Sequence, residues 1–337
     1  MLNWAQILWT ILPKIEARRL SKFSRVSFRG GAFLLSFFLV VCGGGTTFVS
    51  AQGSNFSAFF SKKEGSGQVR SEVVFLNENG LGVVVTESGV DFRKGSYNNE
   101  PVKLVAHDPI SRLTLIRVPL QGGVKFEPID LGSSFDLVSG SALYLGVEGD
   151  TSVSRFVSRE SEYNEKALPF ELFRVHHQPD QKLFSGYPLF DSAGRLVAIN
   201  YRTAAEFGNG SFAFPVEVVK RLQNATVVDG VVQRSWFGVE LLPSYPFAVV
   251  QAVRQASPAA KAGIVKGDIL IQIGPRVIEE YADAIDAFFY LREGEETAVK
   301  FLRGTELLEA TVVPELVPAV APAPPVEEPA KESVISN

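Results

Sequence analysis

Three histidines, His107, His176 and His177, are the chain's whole stock of imidazole, and the last two lie a short way before Ser185. A histidine pair near a serine is the pattern of a general base for a hydroxyl nucleophile, and with Asp180 it also outlines a metal site. Adjacent positions on an extended segment point to opposite faces, so the pair cannot easily share one ion and at most one ring can face Ser185. The pair is therefore read as polar lining of a cleft, and neither a metal nor another cofactor is expected. His107 stands beside Asp108. Cys42 is the single cysteine; if the segment that holds it is removed on export, disulfides, Cys-ligated metals and a Cys nucleophile are all excluded.

The elements that must carry these residues follow from composition. The 337 residues are 46% hydrophobic and 21% charged, which excludes wholesale disorder and a multi-span membrane protein. The net charge of −4 gives no reason to expect nucleic-acid binding. Charge is uneven, because residues 1–31 hold six basic side chains and one acid, leaving 27 basic against 36 acidic side chains in the remainder. The uncharged Phe/Leu-rich run Ala32 to Val41 and the small-x-small pattern Val49-Ser50-Ala51 follow, the layout of a signal peptide over 1–51 cleaved after Ala51. An uncleaved signal anchor over 32–51 is the alternative, and both readings export the body to the periplasm or cell envelope.

Residues 52–69 read as a linker or N-terminal arm whose Phe56, Phe59 and Phe60 must bury against something, such as another subunit. From about 70 to 230, short Val/Leu/Ile/Phe runs punctuated by Gly, Asn, Asp and Ser argue for an all-β sandwich or barrel, closed by a helix over Pro215 to Gln223. A small α+β unit spans 234–314: Ser257 is placed as an N-cap, Pro258 at N1 and Gly263 after the C-terminus of one short helix, and Ala282 to Leu291 forms a second. The Pro/Ala/Glu-rich stretch 315–337 has no means of building a core and reads as a disordered tail.

Trp236-Phe237-Gly238-Val239, followed by Ser257-Pro258-Ala259-Ala260-Lys261-Ala262-Gly263 and Lys266-Gly267-Asp268-Ile269-Leu270, resembles a PDZ domain of the bacterial type. The resemblance implies that backbone N–H groups of Phe237, Gly238 and Val239 capture a peptide carboxylate while the peptide adds as a strand beside Val239 to Leu242. Leu241 and the helix residues Ile285, Phe288 and Phe289 are the expected lining, though core packing explains any one helix residue equally well. A valine at Gly238 is expected to close the loop without unfolding the domain.

The first module resembles the HtrA (Deg) family of trypsin-like serine proteases. His107 to Val118 is similar to that family's D-P-x-x-D-L-A strand, Ser185-Gly186-Tyr187-Pro188-Leu189 to its nucleophile loop G-N-S-G-G-P-L, and Gly210 to Pro215 to its specificity-pocket strand. The implied fold is mainly β, a trypsin-like double six-stranded β-barrel followed by the PDZ domain. Ser185 matches the nucleophile, but Gly89 stands where the family has its histidine and Arg112 where it has the orienting aspartate. Leu183 and Tyr187 replace two glycines of the loop whose N–H groups form the oxyanion hole. The expectation is a degenerate, non-hydrolytic member that binds protein or peptide C-termini or unfolded segments as scaffold, adaptor or regulator. A serine endopeptidase using Ser185 with His176 or His177, and a structural envelope protein with a vestigial groove, remain the alternatives. The family resemblance further implies a homo-trimer formed through Phe56, Phe59 and Phe60, or assembly with an active relative.

The two export readings differ in one measurable product. Cleavage leaves a mature protein beginning at Gln52, which N-terminal sequencing of the envelope fraction will read, whereas the anchor leaves the basic head attached and carbonate-resistant.

Overall fold

The computed structural model describes residues 48–49 and 56–318, apart from 87–88, 121–124, 146–152, 161–168, 180, 182, 205–207 and 244. Alternating burial explains the first sheet. Along Ser57–Lys62, Ala58 and Phe60 are buried while Phe59 between them is 39% exposed. This strand pairs on one side with Gln68–Glu72 and on the other with Val90–Tyr97, which Glu100–Pro101 extends. Gly95 leaves room for the Phe60 ring, since a Cβ there would stand 2.5 Å from it. A second, six-stranded sheet runs in the order Val227–Val228, Val231–Val232, Lys103–His107, Leu113–Arg117, Leu81–Val85, Val74–Phe75. The two sheets share one core, in which Phe60 and Tyr97 meet Phe75, Val84, Ile116 and Phe126. Phe75 and Phe126 stack at 3.7 Å, and Phe56 packs edge-on to both.

The arm reading of 52–69 is thereby corrected. Phe60 and Phe56 belong to the first lobe's own core, and Phe59 alone of the three stays at the surface. Three consecutive apolar residues, Ala58 to Phe60, hide the alternation in the sequence, and it is the burial of Ala58 and Phe60 on one face that reveals the strand. Phe48–Val49, inside the expected export segment, runs parallel to Lys125–Phe126. The rest of 1–51 lies outside the described residues, as does 319–337. Among the described residues no helix is long and apolar enough to cross a membrane.

The second lobe is a closed barrel: Ala142–Leu145, Val153–Glu160, Leu172–His176, Gly210–Pro215, Leu196–Ala204 and Pro188–Phe190, returning to the first strand. Helix α1, Val216–Gln223, follows Pro215 and buries Val216, Val218, Val219 and Leu222 between the lobes' strands. Asp229 and Gly230, both at positive φ, then turn a tight hairpin that returns the chain to the first lobe.

The C-terminal module packs Val239–Leu241 against Val250–Val253, and Ile269–Ile273 between Arg276–Val277 and Thr297–Arg303, with Glu306–Val312 outermost. Helix α2, Pro258–Lys261, has Ser257 as N-cap accepting from the Ala260 N–H, as the Ser-Pro pair implied. Helix α3, Tyr281–Phe289, begins with a reciprocal capping box between Glu280 and Asp283. Within the expected tail, Glu315–Leu316 instead pair with Ser235–Trp236 and Val317 N–H donates to the Arg234 carbonyl. No local signal marks such a pairing, since its partner lies about 80 residues away in sequence.

The described lobes and the C-terminal module belong to one compact unit. Within it α3 is the joint between barrel and C-terminal module: Phe289 stacks on Phe170 at 4.5 Å, and the Arg221 guanidinium lies 4.2 Å over the Phe289 ring.

Truncating Phe60 to Ala is expected to destabilise the protein by about 3–5 kcal/mol, and Phe59→Ala by less than about 1 kcal/mol. Urea-denaturation midpoints of the two variants test the reassignment of this strand.

Candidate functional site

The loop Leu183 to Tyr187 is held by backbone contacts to both lobes. Glu72 N–H donates to the Ser185 carbonyl at 3.0 Å, and Gly186 N–H donates to the Asn200 carbonyl at 2.8 Å. Gly186 has φ +87°, and a Cβ there would stand 2.6 Å from the Glu72 carbonyl oxygen, so the turn requires glycine. Tyr187 is buried in the barrel core with Leu183 packed on it, so the two residues that replace glycines fill space with side chains. Phe184 is 51% exposed beneath the Arg70 guanidinium.

Ser185 Oγ is buried and makes no hydrogen bond. Each imidazole is accounted for elsewhere. His177 bridges two hydroxyls inside the barrel, Nδ1 to Ser154 Oγ at 2.7 Å and Nε2 to Ser211 Oγ at 2.6 Å. Burial, and then the neighbouring His176, pull its pKa down to about 4, so the ring is neutral. His176 points outward to the exposed face, as strand alternation requires. His107 bonds Thr114 through Nδ1 at 2.8 Å, stacks on Phe92 at 3.8 Å, and is likewise lowered to about 4 by burial. Asp180 lies outside the described residues, and among those described no group of three or more His, Cys, Asp or Glu converges on a metal position.

Gly89 turns the chain at φ +85°, and a Cβ built on it meets nothing within 4 Å. Arg112 is also at positive φ, its carbonyl accepting from both Thr86 N–H and Thr86 Oγ1. Its guanidinium donates to the Tyr201 hydroxyl. Ser185, Gly89 and Arg112 thus carry an unpartnered hydroxyl, open space and a cation turned toward a phenol.

The second candidate site is the groove between Val239–Leu241 and α3. Phe237 is buried, its carbonyl accepting from Ala259 N–H at 2.8 Å, and its ring meets Phe288 edge-on at 5.1 Å. Gly238 has φ +85° and accepts from Arg254 N–H at 2.8 Å. Val239–Leu241 pairs on one edge only, with Val250–Val253, and its other edge is open. Val239, Ile285 and Phe288 are half-buried, whereas Leu241 is buried in the module's core. Ile285 and Phe288, three apart, share the helix face toward Phe237.

Phe289 does not belong to this groove. One position further round the helix than Phe288, it enters the barrel core against Phe170 and Arg221. The expectation for Gly238→Val is also corrected: a Cβ there would lie 2.2 Å from Ser257 Cβ, so substitution disturbs the packing of the α2 cap as well as the loop. The sequence reading missed Ser154 and Ser211 as partners of His177 and Tyr201 as partner of Arg112, all contacts across strands or lobes without a local signature.

These geometries can be set beside known proteins. The PDZ domain family matches residues 235–313. Curated relatives include proteins described as "Probable periplasmic serine endoprotease DegP-like", from Pseudomonas fluorescens at 27% identity and from Pseudomonas putida at 29%, each over 260 residues. Both alignments cover 71% of this chain and 53% of the relative, so the chain spans about half the length of the curated relatives it matches. A solved structure described as "HtrA-type protease AlgW with tripeptide" aligns over 80% of this chain and 96% of its own, with a TM-score of 0.54 at 20% identity. This is an HtrA-like, trypsin-fold chain with a PDZ domain. Its mainly β architecture, with a closed barrel ahead of the PDZ domain, agrees with the expected fold.

The neutral, buried rings make stability pH-dependent. An unfolded chain protonates histidine near 6.5, whereas folded His177 resists until about 4. Between these values the unfolded state binds the proton, so stability falls as pH drops, by at most on the order of 3 kcal/mol for this ring. Burial raises Glu72, Glu171 and Asp286, which act in the opposite sense. A His177→Gln variant is therefore expected to show a flatter fall in urea midpoint from pH 6.5 to 4 than the parent.

Proposed function

We propose that this HtrA-like chain is an exported protein of the periplasm or cell envelope that binds peptide C-termini or exposed extended segments through its PDZ groove and does not hydrolyse them. The single observation that carries the reading is the contrast between the two sites. The groove keeps an open strand edge, an apolar wall and a positive-φ glycine at the carboxylate loop. Among the described residues no base reaches the serine: Ser185 Oγ is unbonded and His177 spends both ring nitrogens on Ser154 and Ser211. A hydroxyl without a base in reach is a poor nucleophile, and Arg112 at the acid position would repel an imidazolium. The relatives' description as periplasmic supports the location, and the peptide bound to AlgW is in keeping with a peptide ligand here. A Ser185–His177 dyad gains no support from this geometry.

The protein is expected to leave unfolded casein intact and to resist serine-directed fluorophosphonates. Stoichiometric labelling abolished by Ser185→Ala would overturn the non-hydrolytic half of the reading. Peptides with a free apolar C-terminal residue are expected to bind with micromolar affinity, roughly 8 kcal/mol, and their amidated forms several-fold more weakly. Fluorescence anisotropy with both forms measures this, and equal affinity would remove the carboxylate from the account.

A further inference from the structure

The groove is electrically polarised along its length. We propose that it selects peptide ends that carry lysine or arginine three to five positions upstream of an apolar last residue. The inference rests on the peptide-binding reading above and adds the ligand's charge.

The direction of the groove is set by two contacts of α3. Near its C-terminal end Phe288 meets Phe237 at 5.1 Å, next to the Gly238 loop; at its start Tyr281 N–H donates to the Pro246 carbonyl at 3.1 Å. A ligand strand on the open edge of Val239–Leu241, with its carboxylate at the Gly238 loop, runs from there toward residues 245–247 and the first turn of α3. At about 3.3 Å per residue, positions three to five before the end lie roughly 10–16 Å from it, beyond the apolar wall of Ile285 and Phe288.

The groove walls at that far end are acidic. Residues 239–249 and 277–285 contain Glu240, Glu279, Glu280 and Asp283 and no lysine or arginine. Glu240, Glu279 and Glu280 are exposed. Glu280 and Asp283 also cap α3, which orders them without removing their charge. Tyr245 and Phe247, 54% and 43% exposed, offer ring faces to a cation in the same region. At the opposite end Arg254 lies 5.3 Å over the Trp236 ring and its N–H holds the Gly238 carbonyl, placing positive charge on the side of the ligand's carboxylate. A ligand with an anionic end and a cationic upstream stretch matches both ends, and an acidic upstream stretch meets repulsion.

The test uses the full chain and three fluorescent peptides that share a free Ala-Val-Phe end and carry three lysines, three alanines or three glutamates immediately before it. The lysine peptide is expected to bind at least about 5-fold tighter than the alanine peptide and the glutamate peptide more weakly still, with the differences collapsing at about 0.5 M salt. In the double variant Glu240→Lys, Glu279→Lys the lysine preference should vanish while the alanine peptide stays within about 2-fold of its original affinity. Equal binding of lysine and alanine peptides at low salt, or a preference that survives the double reversal, overturns the charge selection and leaves peptide binding intact. If none of the three binds, the peptide-binding reading itself fails.

Discussion

One buried ion pair ties the three parts of the molecule together. Arg221, on the last turn of α1, bonds Asp108 of the first lobe at 2.9 Å, with side chains only 6% and 2% exposed. The same guanidinium donates to the Phe289 carbonyl and lies over the Phe289 ring, at the end of the helix that walls the PDZ groove. Asp108 in turn caps its own turn through Ile110 N–H and Ser111 Oγ. Burying two charges costs free energy that is recovered only when both are fully bonded, so loss of either partner would leave an uncompensated charge among lobe, helix and PDZ module. The position of α3, and with it the width of the groove, therefore depends on a contact outside the groove.

The two candidate sites answer to one backbone constraint in different ways. Each has a glycine at positive φ packed so closely that a Cβ would overlap a neighbour, Gly186 against Glu72 and Gly238 against Ser257. At Gly238 the tight turn stands beside an unpaired strand edge, where peptide N–H and C=O groups can still be met by a ligand. At Gly186 the neighbouring positions have been filled, by Tyr187 in the barrel core and Leu183 against it, and the polar interior nearby is closed on itself by His177 between Ser154 and Ser211. Around Gly186 the backbone groups hold the fold, Glu72 N–H donating to the Ser185 carbonyl and Gly186 N–H to the Asn200 carbonyl.

Much of this was determined by local sequence. The Ser257-Pro258 start of α2 and the helix that follows Pro215 are read from residues whose physical consequence acts within a few positions, through capping, a fixed φ or side-chain direction. The opposite faces of His176 and His177 followed from the same geometry. Only the tertiary structure decided matters that rest on contacts between distant segments: that Phe60 and Phe56 close their own lobe, that Glu315–Leu316 still pair with Ser235–Trp236, and that Phe289 turns to the barrel while Phe288 faces the groove. On a helix, adjacent apolar residues differ by about 100° in direction, and which of them meets a core is fixed by the body packed against each side. That body, Phe170 and Arg221, lies more than 60 residues away in the chain, beyond the reach of any local pattern.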